Sequence, residues 1–153
     1  MNDDVKKRYE YLKKKQQKQI QLNKWQQNNL FMEFVQNINE IVIIPEEKYK
    51  LLIEKLPSSI SFYASGHINW KDSKCKKNKV SYLELSNYVD VSKEYYVIWD
   101  DYDLPVVKCK LQSIINNVDD VEAVAFSYLI ISEDFKNIME SEKFGFLNMC
   151  IIE

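Results

Sequence analysis

The scarcity of glycine limits the folds open to this chain more than any other feature of its sequence. Only Gly66 and Gly145 occur among 153 residues. Neither the GxGxxG pattern nor the GxxxxGK[ST] loop is therefore present, which excludes nucleotide binding through a glycine-rich loop. An apolar fraction of 46% and an aromatic fraction of 13% exclude wholesale disorder. We expect residues 1–153 to form a single domain.

Residues 1–40 are predicted to form a helical N-terminal segment, because they contain no Pro or Gly. The second half of this segment has a dense apolar stripe at helical spacing, made by Leu30, Phe31, Phe34, Val35 and Ile38. Asn28 and Asn29 favour helix caps over helix interiors. We therefore expect two helices with a break at these asparagines, the second packed more fully than the first.

Residues 41–153 are predicted to form a mixed body of strands and short helices. The predicted strands are EIVIIP, SISFYAS, VSYLEL and EYYVIWD, followed by VEAVAFSYLIIS, which forms two strands or one long bent strand. Helices are predicted between Pro45 and Pro57 and over VVKCKLQSIINNV, and the chain closes in a hairpin that turns near residues 143–145. This order predicts an α+β fold, with the N-terminal helices packed on a mostly antiparallel sheet.

The cysteine pattern and the hydropathy of the sequence predict the cellular compartment. Cys75, Cys109 and Cys150 are odd in number, far apart and never part of a CxxC pair, a pattern that argues against a disulfide framework and against a zinc site. No apolar run approaches the roughly 18 residues that a membrane span requires. The sequence thus predicts a soluble cytoplasmic protein with no membrane partner, in a reducing compartment.

The charges are divided along the chain, although the net charge is only −2. Residues 1–24 contain eight Lys or Arg and three Asp or Glu, whereas residues 81–153 contain five Lys and fourteen Asp or Glu. Such a division is typical of proteins with charged partners.

Three aspartates in four positions, Asp100, Asp101 and Asp103, follow the predicted strand EYYVIWD. Asp101 and Asp103 could hold a divalent cation in a small metal-dependent enzyme, because such cations prefer oxygen ligands. Asp103 could instead cap a helix that begins at Pro105. A third interpretation is an acidic surface that a basic partner recognises.

A second acidic group comprises Asp119, Asp120 and Glu122, which the predicted elements place where a helix ends. Acids at a helix C-terminus oppose the helix dipole, so a reason other than local stability is needed for them. That reason is either ordinary solvation of the surface or complementarity to a basic partner.

The residues needed for catalysis are sparse. His67 is the only histidine, no GxSxG surrounds Ser61 or Ser65, and Cys109 and Cys150 lie in apolar surroundings typical of inert thiols. We expect no enzyme, no cofactor and no metal. Lysines at 13–15 and 71–79 could meet phosphates, but a pI of about 5.6 and the lack of a named motif argue against direct nucleic-acid binding. A helical adaptor built on residues 3–40 is a further alternative.

Three short motifs in the C-terminal third indicate a family resemblance. They are Leu104-Pro105-Val106, then Asp119-Asp120-Val121 with Ala123, Val124 and Phe126, and finally Ile138-Met139-Glu140 with Gly145. In this order, after an aromatic strand, they resemble the C-terminal part of bacterial immunity proteins from contact-dependent growth inhibition and related polymorphic toxin systems.

The resemblance implies a protein that binds and neutralises the C-terminal domain of one cognate toxin, for which we expect a nuclease. Because the toxin-contacting surfaces of such proteins diverge, it assigns no binding residue. The hypothesis for the toxin-binding site therefore rests on charge, with an aromatic anchor at its centre, and comprises Asp100, Asp101, Tyr102, Asp103, Asp119, Asp120 and Glu122. The oligomeric state stays open.

Overall fold

The structure, a computed structural model, describes residues 3–101, 103–142 and 145–152, and the side chains of all of these except residues 17–24. The α-helices are α1 (Asp3–Gln26), α2 (Asn29–Asn37), α3 (Tyr49–Glu54), α4 (Leu111–Ile115) and α5 (Val118–Val124). The strands are β1 (Val42–Ile44), β2 (Asn78–Ser81), β3 (Glu94–Trp99), β4 (Val106–Lys110), β5 (Tyr128–Ser132), β6 (Asn137–Ser141) and β7 (Phe146–Ile151). Two 3-10 helices span Glu46–Lys48 and Tyr82–Asn87.

All seven strands form one sheet in the order β1-β4-β3-β5-β6-β7-β2. Every neighbouring pair is antiparallel. The predicted α+β class with an antiparallel sheet is therefore confirmed. No helix among the described residues is both long enough and apolar enough to cross a membrane.

Strand β3 shows how the sheet acquires two apolar faces. Its burial alternates along the strand, as the two-residue period of a strand requires. Tyr95, Val97 and Trp99 are buried against the helices on one face. Tyr96 and Ile98 point to the opposite face, where Ile98 belongs to a second, smaller apolar cluster.

Helices α2 and α5 cover the first face, which we call the helix face. The Asn28 side chain accepts a hydrogen bond from the Phe31 amide at 2.9 Å, which caps α2 as the sequence predicted. Phe31 and Phe34 pack edge-on against Trp99, with ring centroids 5.5 and 5.2 Å apart. The Trp99 indole donates to the Val121 carbonyl at 3.2 Å, so β3 is tied to α5.

A covering segment, residues 56–77, lies over part of the second face. It has little regular structure, and the predicted strand SISFYAS contributes only an isolated bridge between Phe62 and Ile68. Ile60 and Ile68 pack on Ile131 and Ile138 of the sheet. Backbone bonds within the segment maintain its course, for example from the Asn69 amide to the Ser61 carbonyl at 2.7 Å.

A disulfide joins Cys75 of the covering segment to Cys150 of β7. The prediction of unpaired cysteines is therefore wrong for two of the three, and it no longer supports a reducing compartment. The pairing was not accessible from spacing, because the partners lie 75 residues apart and meet only when the sheet is assembled. Cys109 is free and buried.

Three predicted elements have the wrong type, and the first is the strand VSYLEL, of which only residues 80–81 belong to β2 while residues 82–85 lie in a 3-10 helix. Residues 106–110 form strand β4 rather than the start of a helix, because they pair with β1 on one side and β3 on the other. Residues 121–124, predicted as the start of a strand, belong instead to helix α5, and Val121 and Val124 are buried on the helix face. In these last two stretches closely spaced apolar residues fit either period, so packing against the sheet decides the conformation. The predicted helix between the prolines and the closing hairpin are confirmed.

Candidate functional site

A pocket opens on the second face of the sheet, which the covering segment leaves partly bare and which we call the pocket face. Its volume is about 530 Å³, within the range of roughly 300–1,000 Å³ in which ligand sites lie. Ile98 of β3 and Leu129 and Ile131 of β5 form its floor, and Leu52 and Ile53 of α3 contribute to one wall. The pocket is therefore largely apolar.

The mouth of the pocket is acidic. Its lining contains four carboxylates, Glu46, Asp100, Asp101 and Glu140, and among the described residues it contains no Lys or Arg. Lys108 lies on the same face with its ammonium 5.9 Å from the centre of the Tyr96 ring. That lysine is already paired with Glu94 and Glu133, at 3.5 and 3.7 Å. A cation at the mouth would therefore meet carboxylates and, among the described lining residues, no Lys or Arg.

The first predicted acidic group forms a turn at this mouth, which we call the acidic turn (Asp100, Asp101 and Asp103). The Asp100 amide donates to the Ser127 carbonyl at 2.8 Å, so the turn continues the pairing of β3 with β5. The Asp101 side chain accepts from the Asp103 amide at 2.9 Å, a bond typical of Asx turns. Strand β4 follows Pro105, so the predicted helix cap at Asp103 is wrong. Tyr102 lies outside the described residues.

His67 connects the acidic turn to the covering segment. Its Nε2 lies 3.3 Å from an Asp100 oxygen, and its Nδ1 lies 3.8 Å from Glu140 Oε2. Glu140 also accepts from the Ile68 amide at 2.7 Å and from the Trp70 indole at 3.1 Å. These bonds hold the rim of the pocket at a fixed distance from β6.

The second predicted acidic group lies elsewhere, on α5 above the helix face. Asp119 and Asp120 are in the first turn of α5, where negative charge is favoured by the helix dipole. The predicted placement at a helix C-terminus is therefore wrong. Asp120 accepts from the Asn37 side chain at 3.0 Å, and Glu122 accepts from the Gly145 amide at 3.1 Å. The described residues of the two predicted acidic groups thus lie on different elements, with Asp100 and Asp101 in the pocket lining and the other group on α5.

Neither a metal cluster nor a reactive free thiol is found among the described residues. Across residues 3–101, 103–142 and 145–152, no three His, Cys, Asp or Glu side chains converge to hold a metal ion. Burial raises the pKa of the Cys109 thiol to about 12, which keeps it protonated and unreactive. Burial also raises the pKa of Tyr49, whose hydroxyl accepts from the Val106 amide at 2.9 Å. The Tyr49 hydroxyl is thus used in a structural hydrogen bond, and its side chain lines the pocket.

Three residues of the site were missed from the sequence. His67 and Glu140 meet only because the covering segment crosses β6, and no local pattern reveals that path. Phe126 is fully exposed, at 106% of its reference area, and it directly precedes Ser127, the residue bonded to the acidic turn. Its position in an apolar run suggested a buried strand instead. The alternation of side chains along β3 was the one usable sequence signal for this site. It places Tyr96 and Ile98 on the second face of the sheet, where another segment of the chain has to cover them.

Comparison with protein families gives one match. The family model described as "CdiI immunity protein EcoliA0-like" matches residues 28–149. The match begins at the residue that caps α2 and ends inside β7, so it includes six of the seven strands, most of β7, the pocket and both acidic groups, whereas α1 precedes it. No curated protein matches the chain.

Proposed function

Since this chain belongs to the CdiI immunity protein family, it is an immunity protein that neutralises a toxin, and we propose that it does so by binding rather than by catalysis. We propose further that the acidic turn contacts the toxin and that the toxin is a nuclease. The observation that carries this proposal is the negative mouth of the pocket, whose described lining has four carboxylates and no Lys or Arg.

A nuclease binds the phosphate backbone through Lys and Arg. Carboxylates placed against those residues would occupy the positions of phosphates and block the substrate. Arg and Lys form their strongest hydrogen bonds with such ionised acceptors. Asp100 is suited to this role because His67 and the Ser127 carbonyl orient it while 48% of its side chain stays exposed.

An aromatic anchor next to the carboxylates would supply the apolar part of the contact. Exposed aromatics surrounded by polar groups are typical of interface hot spots. Phe126 has the required exposure and position, and Tyr102, which the sequence favoured, stays part of the hypothesis. The acids of α5 already bond to the Asn37 side chain and the Gly145 amide, so we assign them a secondary part in toxin binding.

The test begins with capture of the toxin domain on the tagged protein from its host, washed at low and then high salt. The purified domain is then assayed for cleavage of DNA and RNA with increasing amounts of the chain. We expect cleavage that the chain suppresses at a one-to-one ratio. A captured toxin without nuclease activity would refute the nuclease assignment.

The acidic contact is tested separately by neutralising the acidic turn. Asp100→Asn with Asp101→Asn should weaken toxin binding by about tenfold or more at low salt, because paired interfacial charges are lost. Glu33→Gln with Glu84→Gln is the matched control, because it removes the same charge from exposed positions outside the pocket lining, and it should change affinity by less than about threefold. Equal affinities for all three proteins, unchanged by salt, would leave the immunity function intact and remove the acidic turn from it.

A further inference from the structure

The pocket behind the acidic turn is deeper than charge recognition requires. Ion pairing with the acidic turn needs only the exposed carboxylates, yet behind them lies a cavity of about 530 Å³ floored by Ile98, Leu129 and Ile131. Water in such a cavity finds few hydrogen-bond partners, so its replacement by an apolar group is favourable. The cavity is large enough for more than a single methyl or methylene group.

The pocket is also held open without an occupant. Glu140 fixes the covering segment through the Ile68 amide and the Trp70 indole, and the disulfide from Cys75 to Cys150 fixes its far end. A cavity whose walls are fixed in this way has little freedom to close, and binding to it orders few groups. Preorganisation of this kind lowers the cost of association.

The rim selects the charge of whatever enters. An apolar group with a positive charge beside it would satisfy both the floor and the carboxylates, whereas an acidic group would meet repulsion from Asp100, Asp101 and Glu140. Glu46 and the imidazole of His67 also line the pocket, and the imidazole is already placed between Asp100 and Glu140.

We propose that the pocket receives a large apolar side chain of the toxin, and that a Lys or Arg lies immediately beside that side chain in the toxin. This inference rests on the proposed function. The apolar side chain fills the cavity between α3 and β5. The cation pairs with Asp100 and Asp101 at the mouth. The occupant is thus one protruding segment of the toxin, which combines an anchor with a charge.

A fragment titration tests the pocket without the toxin. The probes are 4-phenylbutylamine and 4-phenylbutanoate, which share an aromatic ring and a short chain and differ in the sign of their charge. We expect the amine to shift the backbone amide signals of Ser65 and Ser127 saturably, with an affinity in the millimolar range expected of a small fragment. The carboxylate should bind about tenfold more weakly. Equal binding of both probes, or no saturable shift with either, would overturn the selectivity that we infer.

Matched pairs of variants test the occupant with the purified toxin domain. Ser65 lines the pocket, and Ser65→Trp should obstruct it and weaken toxin binding by about thirtyfold or more. Ser86 is exposed in the 3-10 helix Tyr82–Asn87, away from the lining, and Ser86→Trp should leave affinity within about twofold. Circular dichroism and the melting temperature check that both proteins fold.

A truncation pair on one helix gives an independent measurement. Leu51 and Ile53 of α3 are exposed to similar extents, 57% and 64%, but only Ile53 lines the pocket. Ile53→Ala should weaken toxin binding by about fivefold or more, whereas Leu51→Ala should leave it unchanged. Neither variant removes a buried side chain, so both should fold.

The outcomes separate this inference from the proposed function. If Ser65→Trp and Ile53→Ala bind the toxin normally while Asp100→Asn with Asp101→Asn binds weakly, the pocket inference fails and the acidic contact stands. If none of these variants binds weakly, both the pocket inference and the acidic contact fail, and the immunity function stands without them. If the chain self-associates and Ile53→Ala abolishes the association, a second copy occupies the pocket, and the toxin is not its occupant.

Discussion

The two faces of the sheet are covered in different ways. On the helix face, α2 and α5 pack side chains such as Phe31, Phe34 and Val121 against the sheet until they are fully buried. On the pocket face, the covering segment contributes a smaller cluster, a disulfide and the hydrogen bonds of Glu140. The first face is held by packing, and the second is held by a few discrete bonds around an open pocket.

This difference indicates a division of labour within one sheet. Dense packing leaves no room for a partner, and it supplies most of the stability of a small domain. A face held by discrete bonds can stay open to solvent without collapsing. The site that contacts the toxin in our proposal therefore depends on the opposite face for its stability.

The largest expected effect breaks the covalent bond of the pocket face. The disulfide closes a loop with a sequence separation of 75 residues, and its reduction should lower the free energy of unfolding by about 4 kcal/mol. Denaturant unfolding with and without a reducing agent measures the change. An unchanged midpoint would mean that packing alone holds the covering segment, and the contrast between the faces would disappear.

A matched pair of isoleucines compares the packing of the two faces directly. Ile130→Ala on the helix face removes a side chain with no exposed area and should cost about 3 kcal/mol. Ile98→Ala enlarges a pocket that already exists and should cost about 1 kcal/mol. Chemical denaturation of both variants gives the difference. Equal costs would show that the two faces are packed alike.

Glu140 is expected to contribute a smaller amount through its hydrogen bonds. The Glu140 carboxylate accepts hydrogen bonds from the Ile68 backbone N–H and from the Trp70 indole N–H. In Glu140→Gln one of the two oxygens becomes an NH₂ group, which is a donor, so one of these hydrogen bonds is lost. The loss should be about 1–2 kcal/mol. Glu133→Gln is the control, because that exposed carboxylate pairs only with Lys108 across 3.7 Å among the ion pairs described, and it should cost less than about 0.5 kcal/mol.

The smallest effect concerns the cysteines, because Cys109 is a free thiol buried on the helix face, whereas Cys75 and Cys150 form the disulfide of the pocket face. Because burial raises the pKa of Cys109 to about 12, only about one thiol in 10⁴ is ionised at pH 8, and the native protein should not react with a thiol reagent. Unfolding should expose one reactive thiol, and unfolding with reduction should expose three. One reactive thiol in the native protein would contradict the burial of Cys109.

The elements of this fold that follow from local periodicity were predictable. The apolar stripe of α2, its cap at Asn28 and the alternation of β3 are readable because each depends on neighbours within one turn or one strand. The conformations of residues 106–110 and 121–124 were not predictable, since their apolar spacing suits both periods and packing on the sheet decides between them.

The candidate site was predictable only in part. Asp100, Asp101 and Asp103 stood out because three acids follow an apolar strand, and the structure places Asp100 and Asp101 at the mouth of the pocket. The group on α5 was misplaced because α5 was taken for a strand. His67, Glu140 and the disulfide depend on where the covering segment crosses the sheet, and no stretch of the sequence encodes that path locally.

The two edge strands of the sheet limit the ways in which another protein can bind to it. Edge strands β1 and β2 have only three and four residues, Pro45 directly follows β1 without an amide hydrogen, and Lys79 is exposed on β2. Such edges resist the addition of a foreign strand. In our proposal recognition then depends on side-chain shape and charge instead of generic backbone pairing, and we expect a toxin that changes its anchor residue to escape this immunity protein.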